Sequence, residues 1–325
     1  MLPERANPIC LLMILKEYSD ENHIMPMQEI ILKLKQVYDL ELDRRTVYSA
    51  VSLLITLGYD ISTYSDNKKG YYLREREFTL PEARLIMDSL YSFTGISSKY
   101  TVDLVKKVQS VLSVHERKRY KNLVVIKSNT KTENREVFYN IELLDEAIDK
   151  KLKVAFTYME YGFDKQLKPR RNEKYIVNPF SLVHANEHYY LICSYGDYNN
   201  ISYYRIDRIK GIKLTDNKAV AAPKSFNPTE YAMKSIYMFS GEEESISIKC
   251  DNTILNDVID KYGHDIKIVR DGPDNFIATF KAVPTGMVFW ALQYLQYCEV
   301  LQPELLRAEV AANIGRNRYG IKFRT

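Results

Sequence analysis

Asn178-Pro179-Phe180-Ser181-Leu182, then His188-Tyr189-Tyr190-Leu191, then Tyr204-Arg205-Ile206-Asp207-Arg208-Ile209 is the stretch on which the reading of this chain turns. From Val154 onward apolar and polar residues alternate with a period of two, the pattern of half-buried strands. Strands are expected near 153–160, 174–184, 187–195, 201–206 and 209–214, with a hairpin at Ala185-Asn186-Glu187. Just before them Ile141, Leu144, Ile148 and Leu152 recur at helical spacing, so a helix is expected over 140–151. Closely spaced antiparallel strands after one helix predict a small barrel.

Upstream, the period changes to that of helices. Asn7-Pro8 reads as a helix cap followed by a first-turn proline, with the helix running to about Tyr18. Pro26 opens a second helix whose inner face carries Met27, Ile30, Ile31, Leu34, Val37 and Tyr38. Asp43 caps a third, with Val47, Ala50, Val51, Leu54 and Leu57 facing inward and Gly58 ending it. Two extended runs, 59–64 and 71–73, flank the polar turn Ser65-Asp66-Asn67-Lys68-Lys69-Gly70. Three short helices and a hairpin predict a winged helix-turn-helix. Thr79 and Glu82 have capping-box spacing before a helix to about Phe93, and Ser97 or Ser98 starts another ending near Leu112. The basic segment 115–135 reads as an interdomain linker with a short helix at 115–121.

Downstream of Pro228 the pattern is strand 245–250, helix 252–262, strands 264–270 and 275–283, helix 285–297, strand 298–301 and a helix from Pro303. The expected fold is therefore α+β and multidomain. Residues 1–76 form a winged helix-turn-helix, 77–135 a helical linker, 136–222 a small β-barrel, and 223–325 an α/β extension for dimerisation or regulation.

The bulk numbers narrow the function classes. The chain has 325 residues, and its 46% hydrophobic and 27% charged composition is that of a folded protein. Its 26 tyrosines against one tryptophan suit half-buried strands and wet binding surfaces. No apolar run approaches the roughly 18 residues of a membrane span, and no signal peptide is read. Cys10, Cys193, Cys250 and Cys298 form no C-x-x-C pair, which argues against a zinc ribbon and fits a reducing cytoplasm. Residues 1–75 carry 9 basic and 11 acidic side chains, whereas residues 76–135 carry 12 and 6. A nucleic-acid contact in the first segment must therefore use a local patch.

The quoted stretch resembles the core of a WYL domain. The family's Trp-Tyr-Leu tripeptide corresponds to Tyr189-Tyr190-Leu191, with tyrosine standing in the first position, and the Arg-x-Asp-Arg-Ile element is intact at Arg205 to Ile209. The N-terminal helices, Phe78-Thr79-Leu80-Pro81-Glu82-Ala83, and Gly286 to Val310 with Trp290 follow the layout of regulators in that family. The resemblance implies that the barrel is Sm-like. It implies further that the barrel binds a nucleotide or short single-stranded nucleic acid and alters the DNA affinity of the attached helix-turn-helix.

Candidate site residues follow. Arg44, Arg45, Thr46, Tyr48, Ser49 and Ser52 mark the start and outer stripe of the third helix, the place from which a recognition helix reads base edges and grips phosphates. Lys68 and Lys69 at the hairpin tip can reach a phosphate or serve solubility alone. His115-Glu116-Arg117-Lys118-Arg119-Tyr120-Lys121 follows a nucleic-acid backbone or is a solvated face. Spacing alone makes Arg205, Asp207 and Arg208 a structural ion pair, while the resemblance points to ligand binding, above all at Arg205. Successive strand residues face opposite ways, so one of Tyr189 and Tyr190 at most faces the ligand, where it would stack on a base. Lys168, Arg170 and Arg171, in an expected loop, add anion affinity or are merely exposed. His184, His188 and Cys193 complete no recognisable metal motif, and no nucleophile elbow, phosphate loop or zinc-protease helix is present. The expected protein is a cytoplasmic, non-enzymatic, homodimeric transcriptional regulator without cofactor or metal. Its partners are an operator in duplex DNA and a nucleotide-like or single-stranded effector. The alternatives are an RNA- or single-stranded-DNA-binding accessory of a defence system, and a nucleotide-processing enzyme.

Overall fold

A computed structural model describes residues 3–122, 131–185, 187–195, 201–223, 226–228 and 242–316. Residues 123–130 of the expected linker, and Asn186 of the expected hairpin, lie outside them. The chain divides into two units, Met1–Glu133 and Asn134–Thr325.

The first unit opens with α1 (Asn7–Tyr18), α2 (Met27–Tyr38) and α3 (Arg44–Thr56). Leu11, Ile14, Leu15, Ile30, Leu34, Val47, Val51 and Leu54 interlock between them as a buried core. Asn7 does not cap α1. A 3-10 turn, Glu4–Ala6, runs straight into the helix, so the cap position falls on Ala6, already helical, and Asn7 is buried in the first turn. Asp43 does cap α3, accepting the Thr46 N–H at 2.7 Å. The strands β1 (Ile61–Ser62) and β2 (Tyr72–Leu73) pair antiparallel, and Met25 and Tyr71 exchange two backbone hydrogen bonds beside them. The loop between the strands was expected to be a plain turn, but it holds a single helical turn, α4 (Tyr64–Asn67). The cause is a reciprocal cap: Asp66 accepts from the Thr63 N–H at 2.8 Å while Thr63 caps Asp66. Gly70 is required at the return, because a Cβ there would lie 2.2 Å from the Met25 carbonyl oxygen.

Three further helices complete this unit: α5 (Leu80–Ser92), α6 (Ser98–Ser110) and α7 (Val114–Lys118). Their N-termini carry the caps expected of Thr79 and Ser97, and a further box at Ser113. Ala83, Met87, Val105, Leu112 and Tyr120 form their own small core. Arg76 straps the two helical sets together. Its guanidinium donates to the carbonyls of Lys16, Ser19 and Val111 and pairs with Glu116 at 3.4 Å.

The second unit begins with α8 (Val137–Lys150), whose Val137, Leu143, Leu144 and Ala147 are buried. Then come β3 (Leu152–Tyr161), β4 (Leu167–Pro169), β5 (Tyr175–Ala185), β6 (His188–Tyr195), β7 (Ile201–Arg205) and β8 (Ile209–Lys218). The strand β4 was not anticipated. It is three residues long and contains Lys168 and Pro169, so it carries no alternation to read. The sheet runs β8-β3-β5-β6-β7, all antiparallel, with β4 beside the far end of β3. The strands β7 and β8 end that order on opposite sides, yet only Ile206–Arg208, a 3-10 turn, separates them in sequence. The sheet must therefore curl until its two edges approach at this corner. Phe156, Tyr158, Tyr175 and Tyr204 pack edge-to-face within it, with ring centroids 5.0–6.1 Å apart apart from the stacked Phe156–Tyr175 pair at 5.7 Å.

A second antiparallel sheet follows, ordered β10-β11-β9-β12, from β9 (Glu244–Asp251), β10 (Lys267–Asp271), β11 (Asn275–Ala282) and β12 (Cys298–Gln302). Its inner face packs on α9 (Leu255–Tyr262), α10 (Pro284–Gln293) and α11 (Glu304–Gly315) through Ile246, Ile248, Phe276, Met287, Trp290 and Leu306. No helix among the described residues is long and apolar enough to cross a membrane.

Candidate functional site

Two surfaces collect the sequence-selected residues. The first is the outer stripe of α3. Burying Val47, Val51 and Leu54 forces the opposite side outward, and Arg44, Arg45, Tyr48, Ser49 and Ser52 are all exposed there. Thr46 is half-buried, with its N–H committed to Asp43. That bond holds the Asp43 carboxyl below the usual carboxylate range. Tyr48 is 53% exposed and meets the Tyr71 ring edge-on at 6.4 Å. Burial, then the Tyr48 phenol, pushes the Tyr71 hydroxyl up to about 12, so Tyr71 is neutral at physiological pH. Lys69 is exposed in the β1–β2 loop. Lys68 folds back, its Nζ donating to the Ser65 carbonyl at 2.9 Å.

The second surface is the corner where β7 meets β8. The strand expected over 201–206 ends at Arg205, and Asp207 and Arg208 lie in the 3-10 turn that follows it. Side-chain amides from α8 and its entry hold this turn. Asn134 Nδ2 donates to the carbonyls of Asp207 and Ile209, both at 2.9 Å, and Asn140 Nδ2 donates to Ile209 at 2.9 Å. Arg205 then grips Asp207 through both ends of its fork, Nε to Oδ1 at 3.0 Å and Nη2 to Oδ2 at 2.7 Å. Burial opposes the Arg205 charge, but the bonds and charge of Asp207 outweigh it and raise the guanidinium pKa. The Arg205 N–H also donates to the Tyr158 hydroxyl at 3.3 Å.

Arg208 is different. Its guanidinium lies 5.8 Å from the Tyr161 ring centroid, and its Nε is buried without a hydrogen-bond partner. The described residues contain three buried side-chain polar atoms in that condition, and Asn140 Oδ1 is another, in the same corner. Tyr190 is the Cα partner of Arg205, so the two share a face of the sheet. Tyr189 points the other way and meets the His184 ring at 5.2 Å. Tyr190 is therefore the tyrosine that accompanies the arginines. Burial raises its pKa while Arg205 opposes the rise.

His188 belongs to this group although the sequence did not single it out for it. It lies two residues before Tyr190 on the same face, and that period-two relation was the available signal. Burial, then the charges of Arg205 and Arg208, lowers its pKa to about 4, so it is neutral at pH 7. Asn134 and Asn140 carried no comparable signal, since their role lies in contacts 66 to 75 residues away.

Lys168, Arg170 and Arg171 are not a free loop cluster. Lys168 lies on β4 and pairs with Asp164 at 2.6 Å, and Arg170 pairs with Glu160 at 3.7 Å. Arg171 lies flat over Tyr175, 3.6 Å from the centroid, and reaches Tyr195 at 4.8 Å. Short hairpin pairing and ring stacking thus occupy the three cations.

Residues 139–214, which include the corner, match the family model of the WYL domain. The chain carries a WYL domain. Among curated proteins none matches it. Two solved structures align along 96% of the chain. Proteasome accessory factor B/C (PafBC) of Arthrobacter aurescens is 15% identical, with a TM-score of 0.29 over 48% of its own length. A CRISPR Cas-related protein is 12% identical, with a TM-score of 0.36 over 83% of its length. This WYL-domain chain thus spans about half the length of PafBC.

Proposed function

We propose that this WYL-domain protein is a DNA-binding transcriptional regulator and not an enzyme. In this reading α1 to α3 with β1 and β2 form a winged helix-turn-helix, α3 is the recognition helix, and the curled sheet is an Sm-like sensor. The observation that carries it is the exposed stripe of Arg44, Arg45, Tyr48, Ser49 and Ser52 along α3, whose N-terminus Asp43 caps. Arginine there pairs with guanine edges, and the hydroxyls suit phosphates. Lys69 and, after unfolding from Ser65, Lys68 add phosphate contacts from the wing.

The sensing half rests on the corner. Arg208 brings a buried Nε that lacks an acceptor, Arg205 brings a guanidinium beside Tyr190, and His188 is neutral next to both. An anion with a flat ring answers that set: a phosphate takes the guanidinium, and a base stacks on Tyr190. The ligand is thus a nucleotide or short single-stranded nucleic acid, and its binding shifts the population of DNA-competent molecules. A cytoplasmic homodimer matches the two-fold symmetry of operators.

The test is operator binding by Arg45→Ala at fixed salt. Loss of one good base contact weakens binding by about 1–3 kcal/mol. Unchanged operator affinity, with the fold intact by circular dichroism, removes α3 from the interface. A preference for single-stranded over duplex oligonucleotides at the same salt would favour an RNA or single-stranded DNA partner instead.

A further inference from the structure

Two of the four cysteines face each other across a strand pair. Cys250 on β9 and Cys298 on β12 are Cα partners in an antiparallel ladder. Both point to the inner face, Cys250 with Ile246 and Ile248, Cys298 with Val300. Directly opposed residues of an antiparallel pair have Cα atoms about 4.5–5.5 Å apart. A disulfide spans about 4.4–6.8 Å, so the Cα spacing of such a rung lies within the range the bond bridges. The other two cysteines have no such neighbour. Cys10 packs in the first unit's core, and Cys193 has Pro179 and Ser202 as its strand partners and gives its thiol to the Ser202 carbonyl at 3.7 Å.

Access and consequence both favour this pair. The rung is the terminal one of the β9–β12 ladder, β12 is an outer strand of its sheet, and Cys298 is half-buried while Cys250 is 1% exposed. Cys298 is thus the more accessible of the two thiols. Arg307 on α11 holds β12 through Glu299 at 2.6 Å and the Val300 carbonyl at 3.3 Å. A bond at this rung therefore fixes α11 as well as β12 to the sheet.

We infer that Cys250 and Cys298 form a redox-sensitive pair, closed by a hydroperoxide into a disulfide that staples β12 to β9. The Cys298 thiolate attacks the peroxide oxygen. An S–O bond forms, the O–O bond breaks, and the leaving oxygen takes the thiol proton to become an alcohol or water. The Cys250 thiol then attacks the sulfenic sulfur, forming S–S and releasing water. Both thiols are oxidised by two electrons in all, and one peroxide is reduced. The neighbouring Cys250 thiol and burial hold the Cys298 pKa up, so closure is slow at neutral pH and speeds up as pH rises.

The experiment treats the full chain with excess hydrogen peroxide, then denatures it and alkylates the remaining thiols. Two of the four thiols are expected to disappear. A non-reduced digest should yield one intramolecular peptide joining Cys250 to Cys298, two hydrogens lighter than the sum of its parts and cleaved by dithiothreitol. Cys298→Ser, at the half-buried member, should abolish that peptide. In the wild-type chain, amide exchange over 299–302 should slow on oxidation. Four alkylatable thiols after treatment, sulfinic acid at Cys298 with Cys250 still free, or a link through Cys10 or Cys193 would each overturn the inference.

Discussion

The Arg205–Asp207 fork invites a double-mutant cycle. Two charge-assisted hydrogen bonds, 3.0 and 2.7 Å, join side chains that are 23% and 8% exposed. Hydrogen bonds to charged groups contribute about 1.5–3 kcal/mol net, and removing one partner of a fully buried pair costs about 3–5 kcal/mol. Arg205 keeps a quarter of its surface in water, so Asp207→Ala should cost less, about 2–3 kcal/mol. Arg205→Ala strands the more buried carboxylate and should cost somewhat more, about 3–4 kcal/mol. The double variant should recover part of this, giving a coupling of about 1.5–3 kcal/mol. Urea unfolding of the full chain reads the loss, and amide exchange over 204–210 locates it at the corner. A coupling below about 0.5 kcal/mol would refute the reasoning. The turn would then be held by Asn134 and Asn140 alone, with both charges solvated in the folded chain.

Other perturbations test other parts. Gly70→Ala puts a Cβ 2.2 Å from the Met25 carbonyl oxygen, a backbone atom that cannot rotate aside, and should cost about 1–3 kcal/mol in thermal unfolding of the first unit. A neutral result would mean that the loop has room to shift. Arg76→Lys keeps the charge but loses the fork that reaches three carbonyls and Glu116. It should destabilise that unit by about 2–4 kcal/mol, and stability within 0.5 kcal/mol of wild type (about the scatter of a surface change) would show that the strap is dispensable. His188, lowered from 6.5 to about 4, makes stability depend on pH with a definite sign. Above pH 6.5 it is neutral in both states and has no effect. Between 6.5 and 4 the unfolded chain binds a proton that the folded chain refuses, so stability falls with pH, by at most about 3 kcal/mol, and is flat below 4. His188→Gln should remove that slope from the urea midpoint, and a wild-type slope that persists in the variant would place the titration elsewhere.

Much of this architecture was legible because its signals are local. Apolar periodicity gave α2, α3 and α8, alternation gave β5, β6 and β9, and the Thr79–Glu82 and Asp43–Thr46 spacings marked helix starts that the structure keeps. The failures share a cause. Asn7 looks like a cap in isolation, but the 3-10 turn before it makes the chain helical one residue too early. Thr63 and Asp66 convert a polar loop into a helical turn by a bond that competes with hairpin geometry. At the candidate effector site, alternation separated Tyr189 from Tyr190 and ended the strand within one residue of Arg205, but it carried no sign of what shapes the turn that follows. That turn is tied down by Asn134 and Asn140, whose amides come from far back in the sequence. A single sequence does not record such partners.

The same asparagines give the corner its mechanical interest. Asn134 is the first residue of the second unit, directly after Glu133 where the first ends. Its side chain holds the carbonyls of Asp207 and Ile209, the residues on either side of Arg208. On the proposed reading, an anion drawn to the Arg208 guanidinium pulls on a turn whose backbone is tethered to the point where the chain passes between units. Asn140 tethers the same turn to α8, and its Oδ1 is buried without a partner, so the turn sits in a polar network that is not fully satisfied. An unpaired polar atom in a buried network is costly, so a partner that satisfies it is favoured. A ligand that supplies the missing acceptor to Arg208 stabilises one arrangement of the turn over others. On that reading, the differential affinity a population shift needs would come from that one bond and the stacked ring.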